Sequence, residues 1–198
     1  MKRAILMSIQ PQWIEKILNR EKLIEIRKTM PKCELPIDVY LYCTNTPKYA
    51  VTQHNKYSLV PKGFLNGKVV AKFTLNTLKE VYCERLNNGV GYDYYYELEY
   101  GTSIVEEANI SENELYNYLG YKDRPEKVGY AWYIDNLEIF DKPKELSEFV
   151  NSRALSYDDW LYGIYNGHKG SRNNYNSYLN VFRIKRPPQS WQYVEVKE

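Results

Sequence analysis

The chain has 198 residues, 43% of them hydrophobic and 26% charged, a balance that predicts one domain with one core and excludes global disorder. Its formal net charge is only +2, and no stretch approaches the ~20 apolar residues of a membrane helix, so no membrane partner is expected. The charge is segregated, however. Met1 to Lys79 holds 14 Lys/Arg against 5 Asp/Glu, a balance of +9. Glu80 to Glu148 holds 6 against 16, a balance of −10, and Phe149 to Glu198 holds 7 against 4. Such a chain can present a basic face to phosphates, or its opposite charges can simply neighbour one another in the fold. Three cysteines far apart, Cys33, Cys43 and Cys83, give neither a disulfide framework nor zinc-ligand spacing, and His54 and His168 stand alone. No metal and no cofactor are expected, and a reducing cytoplasm is the simplest compartment. Twenty-one tyrosines are compatible with base stacking and equally with codon bias.

Met1-Lys2-Arg3 is basic and the apolar run after it is too short for a signal peptide, so Ala4 to Ser8 reads as the first strand. Pro11 suits the first position of a helix, and Trp13, Ile14, Ile17 and Leu18 share one helical face ending near Asn19. Leu23 to Arg27 alternates as a strand, with Ile24 and Ile26 on one face and Leu23, Glu25 and Arg27 on the other. Ile37 to Cys43 and Val69 to Leu75 are further strands, joined by a loop from Thr44 to Gly67 with a short helix over Tyr49 to Lys56. Asn87 to Gly101 reads as an excursion. Ser111 and Glu114 make a capping box for a helix to Leu119, closed by Gly120. Tyr130 to Ile134 and Leu137 to Phe140 read as one interrupted strand, followed by a helix from Pro143 to Phe149 capped by Asp141. A further helix is expected at Asp158 to Tyr165. Leu179 to Lys185 and Trp191 to Val196 read as the last strands.

The stretch most suggestive of chemistry is Lys22-Leu23-Ile24-Glu25-Ile26-Arg27-Lys28. It offers a carboxylate held by one cation with a second nearby, which can position a phosphate or a base edge, or tune a lysine for proton transfer. Three charges at the start of a strand are as a rule only a solvated surface. The residues here resemble a known family. Met7-Ser8-Ile9-Gln10-Pro11, the helix after it, and Lys22-x-x-Glu25-x-Arg27 resemble the opening of ASCH domains. Tyr42-Cys43-Thr44, Gly67-Lys68-Val69-Val70, Gly129-Tyr130-Ala131-Trp132, Lys142 to Leu146 and Arg186 to Glu195 resemble the larger ASCH proteins of phages and mobile elements, in order along nearly the whole chain.

The resemblance implies an α+β fold, a PUA-like mixed β-barrel with the first helix beside a cleft and short peripheral helices. It implies one domain over 1–198 with an insertion near 86–128, and a role in binding RNA or a nucleotide-like ligand. Some relatives cleave RNA or remove the acetyl group from acetylated cytidine. In the latter a lysine in the place of Lys22 works with a group three residues on, here Glu25. The chain departs from the pattern at Arg20, where the signature has glycine, at Lys72, where relatives often carry an acid, and at Tyr133, often a histidine. Asn19, just before Arg20, can supply the left-handed turn. Losing an acid and a histidine favours binding over catalysis. The expected nucleic-acid contacts are Lys22, Glu25, Arg27, Lys28, Thr44, Asn45, Lys72, Trp132, Tyr133, Gln189 and Ser190, with Lys22 and Glu25 catalytic only if the protein is an enzyme. For Trp132 a core position, and for Gln189 and Ser190 a structural turn, compete with these roles. Three functions stay open: a nucleic-acid binding module with a basic cleft, an ASCH-type enzyme, and a protein-interaction module using the acidic, tyrosine-rich middle.

Overall fold

An uninterrupted apolar run such as Ala4-Ile5-Leu6-Met7 has no polar face to turn to water, and it lies in an interior strand buried on both sides. The computed structural model describes residues 1–46, 65–82, 84–87, 92–95, 104–120, 128–154, 156–165 and 174–196. Its elements begin with β1 (Lys2–Ile9), α1 (Pro11–Leu18), β2 (Ile24–Arg27), β3 (Ile37–Cys43) and β4 (Val69–Leu75). Then come β5 (Leu78–Val81), β6 (Glu84–Asn87), β7 (Tyr92–Tyr95), α2 (Ile104–Ala108) and α3 (Glu112–Leu119). The chain continues through β8 (Gly129–Tyr133), β9 (Asp135–Lys144), β10 (Val150–Asn151), α4 (Tyr157–Tyr165), α5 (Tyr175–Phe182) and β11 (Trp191–Val196). The fold is mixed α+β, with a six-stranded sheet in the order β10-β11-β1-β3-β4-β9, a three-stranded sheet β2-β8-β5 and a two-stranded ribbon β6-β7.

The chain divides into two compact units. The first comprises residues 1–14, 37–72 and 138–198. Here β1 pairs antiparallel with β11 and parallel with β3, so that Leu6 stands opposite Tyr40 and Ser8 opposite Tyr42. Ala4, Leu6, Tyr40, Tyr42, Val69, Phe140, Phe149, Ile184 and Val194 form its apolar cluster, in which the Tyr40 ring meets Phe149 edge-on at 5.0 Å. The second unit comprises residues 15–36 and 73–137. One face of its three-stranded sheet sends Ile24, Ile26, Ala131 and Val81 against Ile104, Ala108, Leu115 and Leu119 of the two helices. The capping box at Ser111 and Glu114 and the left-handed Gly120 bound α3 where the sequence placed them.

Three expectations are corrected. Residues 130–140 are not one interrupted strand: β8 pairs in the three-stranded sheet and β9 in the six-stranded one, with Asn136 at a φ of 48° near the break. No α-helix runs from Pro143 to Phe149, and Asp141 lies within β9 rather than at a helix start. β9 continues to Lys144, because Pro143 sits on the edge strand of its sheet, where a missing N–H is tolerated. Only a short turn of 3-10 helix follows at Leu146–Glu148, capped by Glu145. Leu179 to Lys185 is not a strand. The Asn174 side chain caps α5, and Tyr175, Tyr178 and Phe182 stack along one helical stripe that overrides the alternation. The helix over Tyr49 to Lys56 lies outside the described residues, as do parts of the 87–101 excursion and of the 86–128 insertion.

The end of α1 decides how the chain enters β2. The Glu21 N–H donates to the Lys16 carbonyl at 2.8 Å and the Arg20 N–H to the Ile17 carbonyl at 2.9 Å. This double bond pattern needs a left-handed residue between them, and the residue is Arg20 itself, at a φ of 61°, not Asn19. A side chain there costs about 1 kcal/mol that glycine avoids. Arg20 is exposed, so Arg20→Gly should raise stability by about that amount in urea unfolding. A variant less stable than wild type would show that the arginine side chain contributes more than its backbone strain costs.

Candidate functional site

Alternation along β2 separates its apolar and charged residues. Ile24 and Ile26 face the helices, so Glu25 and Arg27 face the other way. On that face Glu25 stands opposite Trp132 of β8, which stands opposite Leu78 of β5; the next row is Arg27, Tyr130 and Glu80. The left-handed turn at Arg20 delivers Lys22 to the start of the strand. Its Nζ lies 3.4 Å from Glu25 Oε2, and Arg27 Nη2 lies 3.2 Å from Glu25 Oε1. The side chains of Lys22, Glu25 and Arg27 are only 3%, 10% and 8% exposed, so this is not a solvated surface.

Burial of this kind demands partners. Lys22 Nζ donates to the carbonyl of Ala108, at the end of α2, at 2.7 Å. Tyr118 of α3 stands within electrostatic reach of Arg27, and its partly exposed ring carries the Lys28 ammonium 5.1 Å from its centre. Burial pulls the Lys22 ammonium below its ordinary value. Glu25 pushes back up, while Arg27 and Lys16 add to the fall. Burial likewise raises the Tyr118 phenol, and Arg27 opposes that rise.

No family model matches the chain. No curated protein matches it either. Solved structures do. The crystal structure of ASCH from Zymomonas mobilis matches over 97% of this chain and 87% of its own, with a TM-score of 0.50 at 15% identity. A serine-to-alanine variant of that Zymomonas mobilis protein matches over 97% and 88%, with a TM-score of 0.51 at 13% identity. The chain has an ASCH fold. At such identities the likeness speaks for the fold alone.

Arg20, where the sequence resemblance places a glycine, adopts the left-handed backbone that glycine would. Trp132 is fully buried, so it is a wall rather than an open platform. Tyr133, its chain neighbour, points to the opposite face, packing against the helical core with Lys79 over its ring, so the two expected stackers do not share a surface. The remaining expected contacts belong to the first unit. Lys72 bonds Glu138 at 3.1 Å, and this bond raises the Lys72 ammonium above its ordinary value. Thr44 and Asn45 follow β3, with the Thr44 N–H bound to the Ile9 carbonyl at 2.9 Å. Ser190 and Gln189 belong to the turn before β11. It is pinned to β1 by the Ser8 N–H to the Ser190 carbonyl at 2.8 Å and the Ser8 hydroxyl to the Pro188 carbonyl at 2.7 Å. Burial pushes the Cys43 thiol up to about 12, which makes it inert as a nucleophile. Among the described residues no group of His, Cys, Asp or Glu could hold a metal ion, and no helix is long and apolar enough to cross a membrane. Sequence reasoning missed Ala108 and Tyr118. A backbone carbonyl leaves no mark in sequence, and Tyr118 was one tyrosine among many.

Glu25 is the charge that most favours the proton on Lys22. Glu25→Gln should therefore lower the Lys22 titration midpoint further, followed by NMR of the lysine side-chain ammonium. A midpoint that rises would mean that the pair is not in contact in solution.

Proposed function

We propose that this protein is a PUA-like module that binds RNA or a nucleotide-like ligand through Lys22, Glu25 and Arg27. The observation that carries the reading is a buried cluster in which two cations share one carboxylate. Excess positive charge in a poorly hydrated place attracts an anionic or strongly polar ligand. The cations only donate and the carboxylate only accepts, so together they can meet a phosphate and the edge of a base. Unstacked bases of single-stranded RNA expose such edges. Lys28 is exposed and adds a peripheral phosphate contact. In this reading the chain works as one domain over 1–198, with the segment near 86–128 as an insertion, in the cytoplasm, where Cys33 and Cys43 stay reduced.

A second reading has its own support. An amine whose pKa is pulled down by burial, 3.4 Å from a carboxylate, is closer to the neutral form that attacks a carbonyl or takes a proton. The protein would then be an ASCH-type hydrolase, cleaving RNA or deacetylating cytidine, with Lys22 as the activated amine and Glu25 its partner.

Fluorescence anisotropy with single-stranded RNA tests the first reading. Arg27→Ala and Lys22→Met should each weaken binding roughly tenfold, the usual loss for a hydrogen bond to a charged group. The logarithm of affinity should fall with that of salt, by roughly 0.7 per phosphate contacted. Wild-type affinity in both variants would remove these residues from the interface. Release of acetate from acetylated cytidine, abolished in Lys22→Met, would favour the second reading over the first.

A further inference from the structure

An insertion near 86–128 is expected from the sequence. Its described residues 104–110, α2 and the turn after it, nevertheless make the contacts that hold the Lys22 loop in the second unit. The Leu23 N–H donates to the Glu107 carbonyl at 2.8 Å and Lys22 Nζ to the Ala108 carbonyl at 2.7 Å. Lys16 Nζ donates to both the carbonyl and the Oδ1 of Asn109, each at 2.9 Å. Asn109 returns a bond from Nδ2 to the Glu21 carbonyl at 3.3 Å. The last carbonyls of a helix have no partner within it, so the Leu23 N–H and the Lys22 ammonium satisfy those of Glu107 and Ala108, and the Lys16 ammonium that of Asn109 just beyond α2. Asn109 has a φ of 47°, a left-handed conformation that Asn tolerates better than most residues. From α3 comes Tyr118, whose phenol lies within electrostatic reach of Arg27 and whose ring carries the Lys28 ammonium at 5.1 Å.

We propose that α2 and α3 form the positioning clamp of the site, with Asn109 holding the loop that carries Lys22 and Tyr118 holding Arg27, so that the two cations stay spread on either side of Glu25. This rests on the reading of Lys22, Glu25 and Arg27 as the ligand-binding group. Asn109 acts through Lys16 and the Glu21 backbone and touches no ligand. Tyr118 fixes the direction of a guanidinium whose planar donors are useful only when aimed. The clamp explains why α3 carries a complete capping box and a left-handed glycine close: an element that positions charges must keep its ends fixed.

Three variants test the clamp. Asn109→Gly permits the same backbone and removes both side-chain bonds. In the ligand-free protein it should raise the Lys22 titration midpoint toward the ordinary lysine value, because a loosened loop rehydrates the ammonium and releases Lys16 from its neighbourhood. Lys16→Met should speed hydrogen exchange at the Leu23 amide. Tyr118→Phe should weaken RNA binding roughly tenfold. An unmoved Lys22 midpoint in folded Asn109→Gly, unchanged protection of Leu23 in Lys16→Met, or full RNA affinity in Tyr118→Phe beside a loss in Arg27→Ala would each overturn the clamp. Should the wild-type protein bind no RNA, the functional reading falls, and the ligand-free titration and exchange measurements decide the clamp alone.

Discussion

The carboxylate of Glu25, held between Lys22 and Arg27, is the constraint on which the second unit depends. Three ionised groups are buried together, and each is tolerable only because the others are there. Remove the carboxylate and two cations are left in a place that water hardly reaches. The surrounding structure meets this demand. The turn at Arg20 brings Lys22 in line, the Ala108 carbonyl at the end of α2 accepts a hydrogen bond from its ammonium, and Tyr118 stands within reach of Arg27. Apolar packing on the opposite face, through Ile24 and Ile26, holds the strand that carries the charges.

The segregation of charge along the chain has two different meanings in the fold. In the first unit much of it is simple neighbourhood. Lys68 and Lys72, from the basic stretch, pair with Glu145 and Glu138 from the acidic one. These bridges are partly exposed, and their worth is small. In the second unit the basic stretch supplies both the cations and the carboxylate of the buried cluster, all within residues 22–27. The excess charge on which the proposed binding rests is therefore the buried one, and not the count of lysines in the first 79 residues.

Burial also shapes what the site can recognise. Trp132 forms a wall behind Glu25 and does not reach solvent, while Tyr133 serves the core on the other face. Under the proposed reading, recognition falls to directional hydrogen bonds to a phosphate and a base edge rather than to a broad aromatic platform.

Local signals settled the elements they touch directly. Pro11 opened α1, strict alternation delimited β3 and β4, and Ser111, Glu114 and Gly120 bounded α3, because caps and alternation act over a few residues. The same short range let Lys22, Glu25 and Arg27 be picked out together, since a turn and one strand place them. What lay beyond sequence depends on partners distant along the chain. Whether residues 130–140 were one strand or two was decided by which sheets accepted them, and whether Leu179 to Lys185 alternated or wound was decided by the aromatic stripe from Tyr175. Only the tertiary structure could bring the Ala108 carbonyl, 86 residues from Lys22, onto its ammonium, and so turn three charges at a strand start from a solvated surface into a buried, partnered group. The sequence by itself determined which charges would stand side by side; the fold decided that they would be buried, because burial is a property of everything packed around them.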